Sequence, residues 1–270
     1  MACYTGPSGT EDVGTCKAGV ATCKEDGKGF GPCALEVLPQ VEDCSTNEDE
    51  SCDGAGKCTG SEVWSQAFGD AVSVQEIKAV AVDAFGNVVI VGRFDGGMDF
   101  GGGPLTSAGQ KDMFVAKLDS SGAHLWSKRY GSTLDDWARD VAIDASGNVV
   151  VVGAFQNTVD FGGGALVSAG FWDIVVFKLD PDGNHLWSKR FGDTMFDEAR
   201  GVALNASGDV FLAADFWNSV DFGGGALVSA GNDDIALVRL TSGGAFTWAK
   251  RFGDAMPQFA EGIAVDSAGN

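Results

Sequence analysis

The chain has 270 residues, of which 44% are hydrophobic, and its formal net charge is −20. This composition is that of a globular protein rather than a disordered one. A chain this acidic repels the phosphates of nucleic acids, which argues against nucleic-acid binding, and no apolar run approaches the ~18 residues of a membrane span.

All the cysteines lie at the start of the chain, and we predict a separate cysteine-rich acidic module over residues 1–60. They are Cys3, Cys16, Cys23, Cys33, Cys44, Cys52 and Cys58. The module has no CxxC pair and no histidine, so a zinc site is disfavoured. A small module with few large apolar residues gains stability from disulfides, which form in oxidising compartments. We therefore expect mostly oxidised cysteines and an exported protein, with one thiol of the seven left over.

Residues 42–54 concentrate carboxylates, which are the hard oxygen ligands that calcium requires. Asp49, Ser51, Asp53 and Gly54 match the first half of an EF-hand loop, but Gly60 stands where a bidentate Glu would be needed. The candidate calcium ligands are Asp43, Asn47, Asp49 and Asp53. The alternative is a solvated acidic linker, which is the usual role of a charge run.

The spacing within this module also carries a resemblance. Its residues are Cys3-Tyr4-Thr5-Gly6-Pro7, Gly14-Thr15-Cys16, Thr22-Cys23, Glu42-Asp43-Cys44 and Cys52-Asp53-Gly54. The pattern resembles a cysteine-rich motif of bacterial surface proteins to which metal binding is ascribed. The resemblance implies a metal-binding role, and it leads us to expect that Met1 falls inside a longer array of such motifs.

The remainder of the chain, residues 61–270, repeats itself. Gly86-Asn87-Val88-Val89 returns as Gly147-Asn148-Val149-Val150 and, with changes, as Gly208-Asp209-Val210-Phe211, and Gly269 begins a fourth copy, each 61 residues after the last. A fixed period of this size indicates a repeat fold.

Each copy reads as four short strands, in the second copy over 139–144, 148–155, 173–179 and 185–191. Two connections, 144–147 and 180–183, read D-x-x-G, a pattern typical of tight hairpins. We predict an all-β protein of four-stranded antiparallel β-propeller blades. The runner-up is a β-solenoid, whose rungs are usually shorter and lack hairpins.

The repeat resembles the bacterial SBBP-type β-propeller repeat over the segment 141–153 and its counterparts starting at Val80 and Val202. The resemblance implies a seven-bladed propeller on a secreted or cell-surface protein, without an assigned activity. Three full copies and partial ones at each end fall short of the blades that a closed ring needs. We therefore expect a fragment that forms an open partial ring with two exposed blade faces.

Several residues recur at the repeat period, and we interpret them as structural. Trp64, Trp126, Trp187 and Trp248 are expected to pack blade against blade. The pairs Lys128-Arg129, Lys189-Arg190 and Lys250-Arg251 are expected to protect outer strands from aggregation. Asp99, Asp160 and Asp221 precede three glycines and are expected to cap their loops, with calcium binding as the alternative. His124 and His185 are expected on strand surfaces.

No catalytic motif is present: the chain lacks GxSxG, HExxH and a Walker loop. Three tryptophans do not recur and fall in the longer connections, where recognition residues usually lie. The candidate ligand-binding residues are Trp137, Trp172, Trp217, Asp135, Asp136, Asp197 and Glu198. Tryptophan beside carboxylates suits sugar stacking or calcium-bridged polysaccharide; the alternative is drift in tolerant loops.

These observations favour a non-catalytic binding or scaffold module outside the cell, with an extracellular glycan or protein as ligand and calcium as the cofactor to consider. Two alternatives stay open. One is a polysaccharide lyase or glycosidase acting at a propeller face, and the other is a calcium-dependent adhesion module.

Overall fold

The computed structural model describes residues 2–3, 5, 12, 16–21, 24, 32–35, 37–38, 64–69 and 73–266. The chain divides into two compact units, Met1–Val63 and Trp64–Asn270.

The first unit contains a short antiparallel pair, β1 (Ala2–Cys3) and β2 (Gly19–Val20). A disulfide joins Cys3 to Cys33, which confirms for these two residues the expectation of oxidised cysteines. Cys16 is buried and is also disulfide-bonded. The four other cysteines and the candidate calcium ligands Asp43, Asn47, Asp49 and Asp53 lie outside the described residues.

The second unit is all-β over the residues that the structure describes, and it contains three four-stranded antiparallel sheets. The first sheet region holds β3 (Gln75–Val82), β4 (Val88–Phe94), β5 (Gly97–Asp99), β6 (Pro104–Thr106), β7 (Asp112–Leu118) and β8 (His124–Tyr130). The second holds β9 (Trp137–Ile143), β10 (Val149–Phe155), β11 (Thr158–Asp160), β12 (Ala165–Val167), β13 (Asp173–Leu179) and β14 (His185–Phe191). The third holds β15 (Asp197–Leu204), β16 (Val210–Val220), β17 (Leu227–Leu240) and β18 (Phe246–Phe252).

Strand order is the same in the three sheets: β3-β4-β7-β8, β9-β10-β13-β14 and β15-β16-β17-β18. The predicted antiparallel four-stranded repeat is therefore confirmed. The sequence did not reveal that the connection between the second and third strands is itself a small hairpin, β5–β6 and β11–β12. In the third sheet this hairpin is continuous with β16 and β17.

The tight turns form as their D-x-x-G sequences predict. In the second sheet, Asp144 Oδ1 accepts hydrogen bonds from the amides of Ser146 and Asn148, both at 2.9 Å. Gly147 has φ 80°, a left-handed conformation that an L side chain rarely adopts. The turn fixes the register of β9 against β10.

The triple-glycine loops are capped by aspartate, as expected. Asp160 Oδ1 accepts hydrogen bonds from the amides of Gly162 at 2.7 Å and Gly164 at 3.0 Å, and Asp99 and Asp221 do the same in their copies. A Cβ at Gly163 would lie 2.2 Å from the ring of His185. The expectation of a strand-surface histidine was therefore incomplete, because the half-buried ring packs on the glycine loop.

Adjacent sheets pack face to face through apolar cores. Along β10 the side chains alternate: Val149 and Val151 join a core with the first sheet, whereas Val150 and Val152 join a core with the third. Strand β9 packs against β3 and β4, and β15 packs against β9 and β10. This double-sided burial explains why β10 and β13 are apolar runs.

The recurring tryptophans link each sheet to the next, which gives a physical reason for their recurrence. The indole nitrogen of Trp126 donates to the carbonyl of Pro181 at 2.9 Å, and that of Trp187 donates to Ser242 at 3.1 Å. Trp64 makes the same bond to Ser120 at 3.0 Å. Each acceptor lies in a tight turn of the following copy.

We expect Trp187→Phe to lower the free energy of unfolding by about 1 kcal/mol, because it removes this hydrogen bond and leaves the Ser242 carbonyl without its indole donor. Trp248→Phe is the matched control, since the Trp248 indole has no such acceptor within residues 64–69 and 73–266. Urea unfolding measures both variants. Equal losses would show that ring size, not the hydrogen bond, is what matters.

One face of the first sheet is exposed. Val80 is 61% exposed, whereas its equivalents Val141 and Val202 are 5% exposed against a preceding sheet. Within residues 75–252 no sheet covers this face, and the three sheets do not close a ring.

Candidate functional site

The register of the strands places the two kinds of connection at opposite ends of each sheet. Val149 pairs with both Ile143 and Leu179, next to the two tight turns. At the other end of the same strands, Ala154 pairs with Trp137 and Phe155 pairs with Asp173. The longer connections therefore share one end of the sheets, as the sequence predicts.

A cavity of about 250 Å³ opens at this end, between the second and third sheets. Its aromatic lining consists of Trp137, Trp172, Phe196, Trp217 and Phe259. Its charged lining consists of Asp197, Glu198, Arg200, Asp215 and Asp233. The structure thus brings together five candidate residues: all three non-recurring tryptophans, Asp197 and Glu198.

The cavity arises because equivalent positions of successive copies carry different side chains. Trp137, Glu198 and Phe259 are spaced by 61 residues, and so are Trp172 and Asp233. These positions all lie at the long-connection end of the sheets and converge on one site. Its loops are joined by hydrogen bonds: the amide of Asp197 donates to the Trp172 carbonyl at 2.9 Å.

The aromatic rings form two contacting groups. The ring centroids of Trp137 and Trp172 are 4.2 Å apart and tilted by 45°. Phe196 stacks on Phe171 at 5.1 Å with 8° between the rings, and on Trp217 at 6.3 Å with 17°. Phe196 is 43% exposed, so part of this aromatic surface faces solvent.

Arginines pair with two of the four acidic residues that line the cavity. Glu198 forms ion pairs with Arg139 and, at 3.0 Å, with Arg200. Arg200 also bonds Asp215 at 2.7 Å through its Nε. Arg139, Glu198, Arg200 and Asp215 therefore form one connected network of ion pairs, not a set of independent ligands.

The ring of Trp137 is covered by two guanidinium groups. Arg93 lies 4.7 Å from the ring centroid and Arg139 lies 4.5 Å from it. Arg93 is itself paired with Glu76 at 2.9 Å. Cation–π contacts with these two arginines therefore stabilise the position of the Trp137 ring.

Asp197 is fully buried and closes a loop. Its Oδ2 accepts a hydrogen bond from the Asp193 amide at 2.9 Å. Burial, reinforced by the charges of Asp193 and Asp173, raises the pKa of Asp197 to about 8. One repeat later, Gln258 stands at the equivalent position and makes the equivalent contact: its Oε1 accepts a hydrogen bond from the Asp254 amide at 3.0 Å.

Asp135 and Asp136 do not line the cavity. Asp136 is buried and accepts hydrogen bonds from the amides of Ser132 at 2.6 Å and Gln156 at 3.0 Å; burial raises its pKa to about 7. Asp135 accepts from the Lys111 amide at 3.2 Å. Asp136 thus fixes connections of the second sheet and Asp135 joins the start of that sheet to the first, so neither carboxylate belongs to the cavity.

Sequence reasoning missed half of the lining: Phe196, Arg200, Asp215, Asp233 and Phe259. Asp233 and Phe259 had an available signal, because they are the repeat equivalents of Trp172 and Trp137. Phe196, Arg200 and Asp215 had none, since their place depends on how the third sheet packs on the second.

Neither a metal site nor a membrane-spanning helix is found in the part of the chain that the structure describes. No group of three or more His, Cys, Asp or Glu side chains there is arranged to hold a metal ion. No helix in those ranges has the length and apolarity to cross a bilayer.

Comparison with known proteins gives two remote similarities. No family model matches the chain. It is 25% identical over 167 residues to the Regulatory protein FlaEY of Caulobacter vibrioides, covering 59% of this chain and 17% of that protein. It is 33% identical over 54 residues to an uncharacterised WD repeat-containing protein of Acanthamoeba polyphaga mimivirus, covering 20% of this chain and 4% of that one. The chain thus spans less than a fifth of either relative.

Proposed function

We propose that the chain is a non-catalytic binding module of a secreted or cell-surface protein, built from SBBP-type β-propeller blades in an open partial ring. The four-stranded antiparallel sheets, their 61-residue period and their face-to-face packing support the propeller. The WD-repeat similarity adds modest support. The Cys3–Cys33 disulfide supports an oxidising compartment.

The observation that carries the binding role is the cavity with five aromatic rings at the end of the long connections. Tryptophans that only maintained the fold would recur like Trp126 and Trp187, but Trp137, Trp172 and Trp217 do not. Aromatic side chains in a partly exposed concave site are typical of ligand recognition. We infer that the module captures an extracellular ligand there.

The geometry gives little support to a glycosidase or lyase at this site. A pair of catalytic carboxyls needs one acid and one available carboxylate. Glu198 and Asp215 are both held by arginines, and Asp197 closes its loop at a position where Gln258 serves equally well, so Asp233 is the one lining carboxylate without such a partner among the described residues and has no second free carboxyl to work with. These contacts favour binding without turnover.

A double variant, Trp172→Ala with Trp217→Ala, tests the binding role. We expect it to lose most of the binding that the parent shows on arrays of glycans and peptides, because two aromatic walls of the cavity are removed. The control is Trp248→Ala, a tryptophan outside the cavity. Binding that persists in the double variant, while circular dichroism shows the parent fold, would place the ligand site elsewhere.

A further inference from the structure

We propose that this cavity takes a quaternary or methylated ammonium group, held against its aromatic rings with the Asp233 carboxylate as counter-charge. The inference rests on the proposed binding function and names the ligand class. Cations are attracted to the negative face of aromatic rings, most strongly to Trp, and cages of several rings recognise methylated ammonium groups.

The charge balance of the cavity singles out Asp233. Glu198 and Asp215 already pair with arginines. The Asp233 side chain makes no ion pair or hydrogen bond to any residue that the structure describes, although it lines the cavity. Its Cα is the cross-strand partner of Trp217, so one free carboxylate lies beside one partly exposed indole.

The aromatic rings supply the remaining contacts. Trp137 shows that the site places cations over an indole, because Arg93 and Arg139 lie 4.7 and 4.5 Å from its centroid. Trp172, Phe196 and Trp217 present further ring surface to the cavity. A ligand cation would use these rings as the two guanidiniums use Trp137.

The hydrogen-bonding groups that line the cavity also argue against a neutral sugar as its ligand. Sugar recognition needs several hydrogen-bonding groups free to meet hydroxyls, in addition to an aromatic platform. Here Glu198 and Asp215 both pair with Arg200 and Asp197 closes a loop, so Asp233 is the one lining carboxylate without an ion pair or side-chain hydrogen bond among the described residues, and the other free donors are indole N–H groups such as that of Trp137. A volume of about 250 Å³ suits one small headgroup. The net charge of −20 further raises the local concentration of cations.

The direct test compares choline with its neutral isostere 3,3-dimethylbutan-1-ol by tryptophan fluorescence and titration calorimetry on the full chain. The two probes have the same shape and differ in charge. We expect choline to bind roughly tenfold or more tightly, as a cation–π and ion-pair contribution predicts. Equal affinity for the two probes, or no binding of choline at millimolar concentration, would overturn the inference.

Variants then locate the site. Asp233→Asn is expected to weaken choline binding by roughly tenfold, and Trp217→Ala to weaken choline and its isostere together. Asp182→Asn is the matched control, because it removes the same charge at the tight-turn end of the second sheet. Choline affinity unchanged in Asp233→Asn would refute the assigned counter-charge.

The failure of this inference can be told from the failure of the binding role. A neutral glycan whose binding is lost in Trp172→Ala with Trp217→Ala, but unchanged in Asp233→Asn, overturns the ammonium ligand and keeps the binding site. Two carriers of the same group, a trimethyllysine peptide and phosphatidylcholine vesicles, distinguish a protein source from a lipid source. Tighter binding of either carrier than of its unmethylated or choline-free counterpart supports the cage.

Discussion

Replacing Arg190 with Met should lower the free energy of unfolding by about 3 kcal/mol, the cost of leaving a buried charge without its partner. Arg190 forms an ion pair with Asp173, which is fully buried on the neighbouring strand. The Asp173 carboxylate also accepts a hydrogen bond from the Ala169 amide at 3.0 Å. In Arg190→Met that carboxylate must either stay charged in an apolar site or take up a proton.

Two controls make the result specific. Lys250→Met removes an exposed cation that has no ion pair within the described ranges, and we expect less than about 0.5 kcal/mol. The double variant Asp173→Asn with Arg190→Met removes both charges and should recover part of the loss. If Arg190→Met and Lys250→Met unfold at the same urea concentration, the ion pair contributes nothing.

The same pair occurs in every copy, as Arg129 with Asp112 and Arg251 with Asp234. The sequence showed a repeated Lys-Arg doublet, which we interpreted as protection of an outer strand. The arginine of each doublet has a different role, because it pairs with an aspartate 17 residues earlier. Only the register between the third and fourth strands reveals this partner.

Much of the architecture was predictable because it recurs. The D-x-x-G turns and the apolar pattern of strands such as β10 are local sequence signals, and each returns at the 61-residue period. Because the same signals occur in three copies, the strand order of the repeat could be predicted with little ambiguity. The hairpin β11–β12 was missed because its three-residue strands are too short for a periodic pattern.

The cavity was predictable only in part. Trp137, Trp172 and Trp217 stood out because they break the repeat, and the structure brings them to one site. Asp135 and Asp136 were included because they neighbour Trp137 in sequence, but they lie in the connection before β9, where their carboxylates accept hydrogen bonds from loop amides. Their hydrogen bonds to loop amides depend on tertiary packing, which the sequence does not display.

Asp197→Asn should remove a large pH dependence of stability. Burial raises the pKa of Asp197 from its ordinary 3.8 to about 8. Between these two values the folded protein keeps a proton that the unfolded chain releases, so the free energy of unfolding falls as pH rises from about 4 to about 8. The stability that this proton provides is fully present below pH 4 and is lost above pH 8.

The variant should therefore be more stable than the parent at pH 9 and similar to it at pH 4. The pKa difference sets a ceiling of about 6 kcal/mol, and we expect ~2 kcal/mol at pH 9, because the surroundings of Asp197 relax when it ionises. The side-chain oxygen of Asn can still accept the Asp193 amide bond, as Gln258 does in the next copy.

Asp136→Asn provides the contrast. Both oxygens of Asp136 accept amide hydrogen bonds, from Ser132 and Gln156, and an Asn side chain can replace only one of them. Asp136→Asn should thus lose stability at every pH, although the pKa of Asp136 is also raised, to about 7. Urea unfolding of both variants from pH 4 to pH 9 measures these effects. A parent whose stability does not fall between pH 5 and pH 9, or an Asp197→Asn variant that keeps the parent's slope, would show that the proton resides elsewhere.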